Sequence, residues 1–312
     1  MQILGKALGF DPIADAIAAE ADGFDGVRVI DHFFSGIPPE QPVAVPHAMV
    51  TLTAAAAVTN RVLLTQTVMA ATMRHPFELA QAVSCLDRVS NGRAELGLGT
   101  GWLLVEHERN GLPLGPPRER IDRLVEVAKV CRTMFHNRGC VDFCGTYFTV
   151  FSDAPWPETP HIPEIMVGAH GKILTKRIAP WIDRLDLLEA MSGGKPSFND
   201  EHSNDSANLA VRIGVLHANE VHDVTVSATV NLHVLESVNE ALEEQRNLAA
   251  IAQCDVSNVQ RDLLRVIDTG DRVFNRLQML ADLGVDRLHI RPRDAFSLEW
   301  LRRSLDSVKT IA

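Results

Sequence analysis

Short apolar runs alternate along the chain with longer segments whose apolar residues recur every three or four positions, the signatures of strands and of amphipathic helices. Residues 2–9 read as a first strand. Asp11 and Pro12 then open an alanine-rich helix that runs to Gly23, with Asp11 as N-cap and Pro12 at the first helical position. A second strand, DGVRVIDHF, covers residues 25–33. Residues 47–59 are helical, and RVLLTQTVMA, residues 61–70, is a β-branched strand. Residues 76–89 form a helix with Phe77, Leu79, Ala80, Val83 and Leu86 at helical spacing, ending at the Asn91-Gly92 turn. The fourth strand is RAELGLGT, residues 93–100. Pro117 starts a long helix through Phe135, striped by Ile121, Leu124, Val125, Ala128, Cys131 and Phe135.

Residues 136–163 break this pattern. They are rich in proline, glycine and aromatic residues and read as an insertion with a hairpin in VDFCGTYFTV. A fifth strand, PEIMVGA, precedes a helix over 171–182, and DRLDLLEA is the sixth strand. A polar loop over 192–206 leads to a helix at 207–217. The seventh strand spans 222–235, helical material follows to Leu283, the eighth strand spans 284–292, and a last helix covers 298–311. Strands followed by helices predict a parallel sheet with right-handed crossovers, and eight such units predict a (β/α)8 TIM barrel with insertions as a single domain. A doubly wound open sheet is the alternative architecture.

In a barrel the site stands at the C-terminal ends of the strands. The residues there are Asp31 and His32 after strand two, Thr67, Val68 and Met69 on strand three, and Thr100, Gly101 and Trp102 after strand four. Strand five supplies Gly168, Ala169, His170, Gly171 and Lys172, and strand six supplies Glu189 and Met191. His233 comes late in strand seven, and Arg291 and Arg293 end strand eight. The GLGTG run is not a dinucleotide fingerprint: its spacing is G-x-G-x-G, and it sits on the fourth strand rather than the first. Gly97, Gly99 and Gly101 instead read as a strand that something flat approaches closely. The small-residue turn from Gly168 to Lys172 opens a helix, where exposed N–H groups and the helix dipole favour an anion such as a phosphate.

Composition narrows the classes. A formal charge of -10 across 312 residues argues against a nucleic-acid surface or a basic membrane patch. No apolar run is long enough for a membrane span, and the N-terminus does not read as a signal peptide. Five scattered cysteines read as reduced thiols in a cytoplasmic protein. His136, Cys140 and Cys144 lack both the usual zinc spacing and a fourth ligand, so no metal is expected.

The segments AEADGFDGVRVIDHF, RHPFELAQAVSCLDRVSNGRAELGLGTGW, RERIDRLVEVAKVCRTMF and IPEIMVGAHGK, with a weaker match in TGDRVFNRLQMLADLGVDRLHI, resemble the bacterial-luciferase-like superfamily. The resemblance implies a TIM barrel that binds coenzyme F420 or FMN, and the subgroup with DHF and GTGW looks most like F420-dependent oxidoreductases. It implies hydride transfer to or from a small organic substrate. The alternative is an FMN-dependent monooxygenase using O2 and a flavin reductase partner.

Residue by residue, the resemblance places Asp31 and His32 beside the ring, His32 as an acid–base group or as a wall and Asp31 in a positioning role. Thr67-Val68 falls where the family often has a non-prolyl cis peptide behind the ring. Gly99, Thr100 and Gly101 line the ring, and Gly168, Ala169, His170, Gly171 and Lys172 hold the cofactor phosphate. Trp102 stands where a sugar-oxidising relative carries a proton-donating glutamate. An indole N–H does not ionise near neutral pH, so Trp102, with Met191, is expected to wall the substrate cavity. Arg74 and His75 are expected to serve the turn before Pro76. A homodimer is the expected assembly. IDRLDLL departs from the family's usual sixth strand, which leaves a barrel without cofactor binding as a further reading.

Overall fold

The computed structural model describes the chain apart from residues 36–42, 157–159, 190, 193–194, 197, 199–202, 219–222 and 312. Eight parallel strands follow one another around a barrel: β1 (Gln2–Ala7), β2 (Gly26–Val29), β3 (Leu63–Gln66), β4 (Glu95–Gly99), β5 (Glu164–Ala169), β6 (Arg184–Leu187), β7 (Thr225–Leu235) and β8 (Arg287–Pro292). β8 pairs back onto β1, Gln2 opposite Arg287. The ring closes between β3 and β4 through a bridge from Leu64 to Ala94 and through Met69–Ala70, which continues β3 beyond Thr67-Val68 and lies opposite Leu98 and Gly99. The expected (β/α)8 barrel is therefore the observed architecture.

Each strand alternates. On β4, Leu96 and Leu98 are fully buried among the helices while Glu95, Gly97 and Gly99 face the barrel interior. Burying such a leucine contributes roughly 1.5–3 kcal/mol, so the outward-facing residues fix the register and leave the inward face free for polar chemistry. The helices follow their local signals. Asp11 accepts from the Ala14 N–H to cap α1 (Pro12–Ala21). α3 (Pro76–Ser90) is capped by the His75 side chain at its start and ends at Asn91 in the left-handed conformation. The expected stripe on α5 (Pro117–His136) is buried except for Ile121, which is partly so.

The inserted hairpin is present as Val141–Cys144 paired with Thr149–Ser152. Its turn hangs on one side chain of α5: Glu126 accepts from the N–H groups of Thr146, Tyr147 and Phe148 at 2.7–3.1 Å.

Several elements differ from the sequence reading, among them two short strand pairs, Phe34–Ser35 with Val43–Ala44 and Met191–Ser192 with Lys195–Pro196, in stretches read as loops. The stretch read as helical up to Leu283 contains a strand, Arg265–Thr269, which adds in parallel to the far half of β7, outside the ring, with Asn231 opposite Arg265. Its Val-Ile pair is buried, and the run is too short to stand out between α9 (Val256–Arg261) and α10 (Gly270–Asp282). A short helix, α4 (Leu104–Arg109), also follows the GLGTGW segment, where no element was expected. Among the described residues no helix is long and apolar enough to cross a membrane, and no group of three His, Cys, Asp or Glu side chains is arranged to hold a metal.

Candidate functional site

The glycines of β4 and β5 make room for protein atoms. A Cβ at Gly97 would lie 1.8 Å from the Gln66 carbonyl oxygen, and one at Gly99 would lie 2.5 Å from Val68 Cγ2. A Cβ at Gly168 would lie 2.4 Å from Leu188 Cδ1 and 3.1 Å from the other methyl of the same valine. Val68 is thus wedged between two strands at the barrel mouth, and the Thr67-Val68 peptide is cis. Gly101 has φ +71°, and its Cβ would lie 2.6 Å from Thr72 Oγ1. The close approach read from the glycines is met at these positions by Val68, the Gln66 backbone and Thr72.

His32 is half-buried at the same mouth. Its Nδ1 lies 2.8 Å from Oε2 of Glu106, a fully buried residue of α4. Burial pushes the Glu106 carboxyl up, but the hydrogen bond and charge of His32 and the N–H groups of Phe33 and Phe34 outweigh it and hold the acid below the ordinary carboxylate range. The Trp102 ring meets the His32 ring edge-on at 6.0 Å. The next residue on α4, His107, points elsewhere: its Nδ1 lies 3.0 Å from the Leu103 carbonyl, and its Nε2 lies 2.9 Å from the Thr72 hydroxyl. Sequence reasoning missed Glu106 and His107, which share one turn of α4 and tie it to two different strands.

Asp31 turns away from His32. It accepts from the Ala70 N–H at 3.3 Å and is paired with Arg74, so Arg74 holds the strand-two end to the strand-three end. Below Thr67 lie two guanidinium groups. Arg291 donates to the Thr67 carbonyl at 3.3 Å, and Arg28 is 3.5 Å from the Thr67 hydroxyl. The Nε of each lacks a partner among the described residues. Burial pushes Arg28 well below its ordinary value, and Arg291 beside it adds to the shift while Asp186 opposes it. A guanidinium keeps its proton in a protein, so both groups stay charged in a buried spot where Asp186 offsets Arg28 only through space. Asp186 is spoken for by Ser227 and Thr229, both at 2.7 Å, although burial still raises its acid.

At the β5 end, Gly171 caps α6 (Lys172–Ile178) without a side chain, and the space beside it is open. Arg212 of α7 (Ser206–His217) fixes this end by donating to the Ala169 carbonyl at 2.6 Å and the Leu188 carbonyl at 3.3 Å. Arg212 is joined through Asn204 to Asp262, whose acid burial raises to about 6. Glu189 is engaged by Arg265 at 2.7 Å and by Asn231 at 2.8 Å. His233 belongs to an outer cluster, 3.2 Å from Asp294, and Arg293 pairs with Glu244 at 3.3 Å. The side chain of Met191 and residues 193–194, 197 and 199–202 of the 192–206 loop lie outside the described residues. The structure therefore brings His32, Thr67, Val68, Gly99, Gly101, Trp102 and Gly168 to one end of the barrel.

The sequence model of the luciferase-like monooxygenases matches residues 13–273. The chain belongs to this family. Within it, an F420-dependent glucose-6-phosphate dehydrogenase of Beutenbergia cavernae is 35% identical over 170 residues, covering 53% of this chain and 48% of that one. The chain spans between about half and two thirds of the length of the curated relatives it matches, 65% for proteins from Mycobacterium tuberculosis and Mycobacterium bovis. Among solved structures, an F420-dependent secondary alcohol dehydrogenase in complex with an F420–acetone adduct superimposes with TM-score 0.79 at 20% identity, covering 98% of both chains. A monooxygenase from Streptomyces bottropensis superimposes with TM-score 0.73 at 19% identity, covering 98% and 99%. At these identities the two structures show a shared luciferase-like barrel.

Proposed function

We propose that this luciferase-like enzyme uses coenzyme F420 to exchange hydride with a small organic substrate at the barrel mouth. The observation that carries the reading is the cluster there: a half-buried histidine tied by one nitrogen to a buried carboxylate, beside Trp102 and the Val68 wedge. F420-dependent relatives in sequence and structure support it. The residues fit such a group. Two buried guanidiniums with unpartnered Nε atoms lie under Thr67 and favour an electron-rich or anionic ring system above them. The turn at Gly168, Ala169, His170, Gly171 and Lys172 combines an unencumbered glycine, exposed backbone and a lysine, which suits the cofactor phosphate.

When bound, a deazaflavin supplies or accepts the hydride. The chain's own part is to orient and to move a proton. Val68 would form a wall for such a ring, with Gly99, Thr100 and Gly101 as the adjoining backbone, and Asp31 holds this wall through Arg74 and the Ala70 N–H. His32 exchanges a proton with the substrate at Nε2, because Nδ1 is occupied by Glu106. Trp102 bounds the substrate side without ionising, so a sugar substrate served by an acid at this position does not suit the site. The fold of the monooxygenase neighbour keeps FMN, with a separate reductase, as the competing reading. Fluorescence titration of the purified protein with F420 and with FMN separates them. Tenfold tighter binding of F420 is expected. Tighter FMN binding would replace the proposal with the monooxygenase, and affinity for neither would leave a barrel without cofactor chemistry. A homodimer is part of the same proposal, read out as twice the chain mass in solution.

A further inference from the structure

We propose that Glu106 is a positioning residue that fixes the tautomer of His32, so that Nε2 is the bare, proton-accepting nitrogen at the barrel mouth. The assignment follows from who can donate. Glu106 is fully buried and ionised, since His32 and the N–H groups of Phe33 and Phe34 hold its acid low against burial. A carboxylate only accepts. The 2.8 Å contact from Oε2 to His32 Nδ1 is therefore an Nδ1–H donating to oxygen. With Nδ1 committed, the neutral ring has its lone pair on Nε2. The other carboxylate oxygen accepts from the Phe33 N–H, so the backbone just past His32 is fixed by the same group that orients the imidazole.

α4 is held in turn by its neighbour. His107 reaches Thr72 at 2.9 Å and the Leu103 carbonyl at 3.0 Å, which keeps the short helix from rotating and carrying Glu106 away. The device has the logic of a carboxylate behind a catalytic imidazole, here delivered by a six-residue helix after the fourth strand.

The inference rests on His32 being the proton-handling residue of the reading above, yet its central measurement needs no cofactor. The glutamine variant makes a sharp test. In Glu106→Gln the amide oxygen is drawn to the Phe33 and Phe34 N–H groups, which can only donate. That turns the amide NH2 toward His32 Nδ1, which must then be bare, and the proton moves to Nε2.

The experiment is two-bond 1H–15N correlation on protein labelled at histidine nitrogen, at pH 8, with His32 assigned by the signals lost in His32→Asn. Wild type is expected to carry a proton on Nδ1, and Glu106→Gln to have Nδ1 bare and Nε2 protonated. A bare Nδ1 in wild type, or an unchanged tautomer in Glu106→Gln, overturns the proposal. Should Glu106→Gln fail to fold, the wild-type spectrum decides alone. In the same variant, turnover is expected to fall by about 10²-fold or more while the Kd for F420 stays within about threefold of wild type, about 0.7 kcal/mol. An equal loss in both would make Glu106 a structural residue only. If neither cofactor binds, the proposed function fails while the tautomer result still stands or falls by itself.

Discussion

The two ends of the barrel are built from the same residue types and treat them oppositely. At the N-terminal end each inward guanidinium meets a carboxylate: Arg287 pairs with Glu95 and is supported by Gln2 at 2.7 Å, and Arg184 pairs with Asp286. Burial lowers Arg287, but Glu95 and then Glu164 outweigh it and raise it above the ordinary arginine value. Burial and the Glu95 charge raise Glu164. At the C-terminal end Arg28 and Arg291 have, among the described residues, a hydroxyl and a carbonyl of Thr67 as direct partners, and both are pushed down by burial. Between the ends sits His289, lowered far below the ordinary histidine by burial and the surrounding arginines, hence a neutral ring. One end is neutralised by its own residues and closes the barrel. At the other, Asp186 and Glu189 offset the guanidiniums through space, without a direct ion pair among the described residues.

The largest effect expected from breaking this comparison is at the closed end. Arg287→Ala leaves Glu95 buried without its partner, and a loss of about 3–5 kcal/mol is expected. Urea unfolding measures it, and a change under 1 kcal/mol would mean the pair is not what closes the barrel. Next comes His32→Asn at the open end, which should lower turnover by about 10²–10⁴-fold with cofactor affinity nearly intact. Turnover measured against pH in both proteins checks it, and a retained rate would reduce His32 to a wall. Gly171→Asp, which sets a carboxylate against the proposed phosphate, should weaken F420 binding about tenfold, or about 1.4 kcal/mol. Unchanged affinity in the folded variant would move the phosphate elsewhere.

The smallest stability change sharpens the comparison most. Arg28→Met replaces a guanidinium that has no carboxylate bonded to it, so stability should stay within about 1 kcal/mol of wild type or rise, while F420 affinity drops. A loss of several kcal/mol would show that Arg28 serves the fold as Arg287 does.

Legibility in the sequence follows the range of the interaction. α3 could be read because its signals are local: Pro76 and His75 at one end, Asn91 at the other, and a stripe repeating in between. The barrel could be read because eight such units recur. The His32–Glu106 pair could not, because its members are 74 positions apart and α4 is too short to have a period. A signal was present in retrospect: an acid four residues past Trp102, one turn along if that segment is helical. The glycines of β4 were read as room for something flat, whereas the atoms that approach them are those of Val68 and the Gln66 backbone, which sequence does not reveal because they arrive only once β3 flanks β4. The strand Arg265–Thr269 escaped for a similar reason, since it is defined by its pairing with β7 rather than by alternation of its own.

The hairpin suspended from Glu126 is moored to the barrel by a division of labour between backbone and side chains. Three consecutive amides hang on one carboxylate, and Arg123, one turn earlier on α5, lies over the Tyr147 ring at 4.7 Å. Both anchors sit on the barrel side of the joint and ask of the hairpin only backbone N–H groups and one aromatic face. The turn's anchoring therefore depends on α5 and on Tyr147 rather than on the identities of Thr146 and Phe148, whose backbones alone are engaged by Glu126. The hairpin's strands are tied down as well, since Val141 and Val150 are buried in the core and Phe143 packs against it.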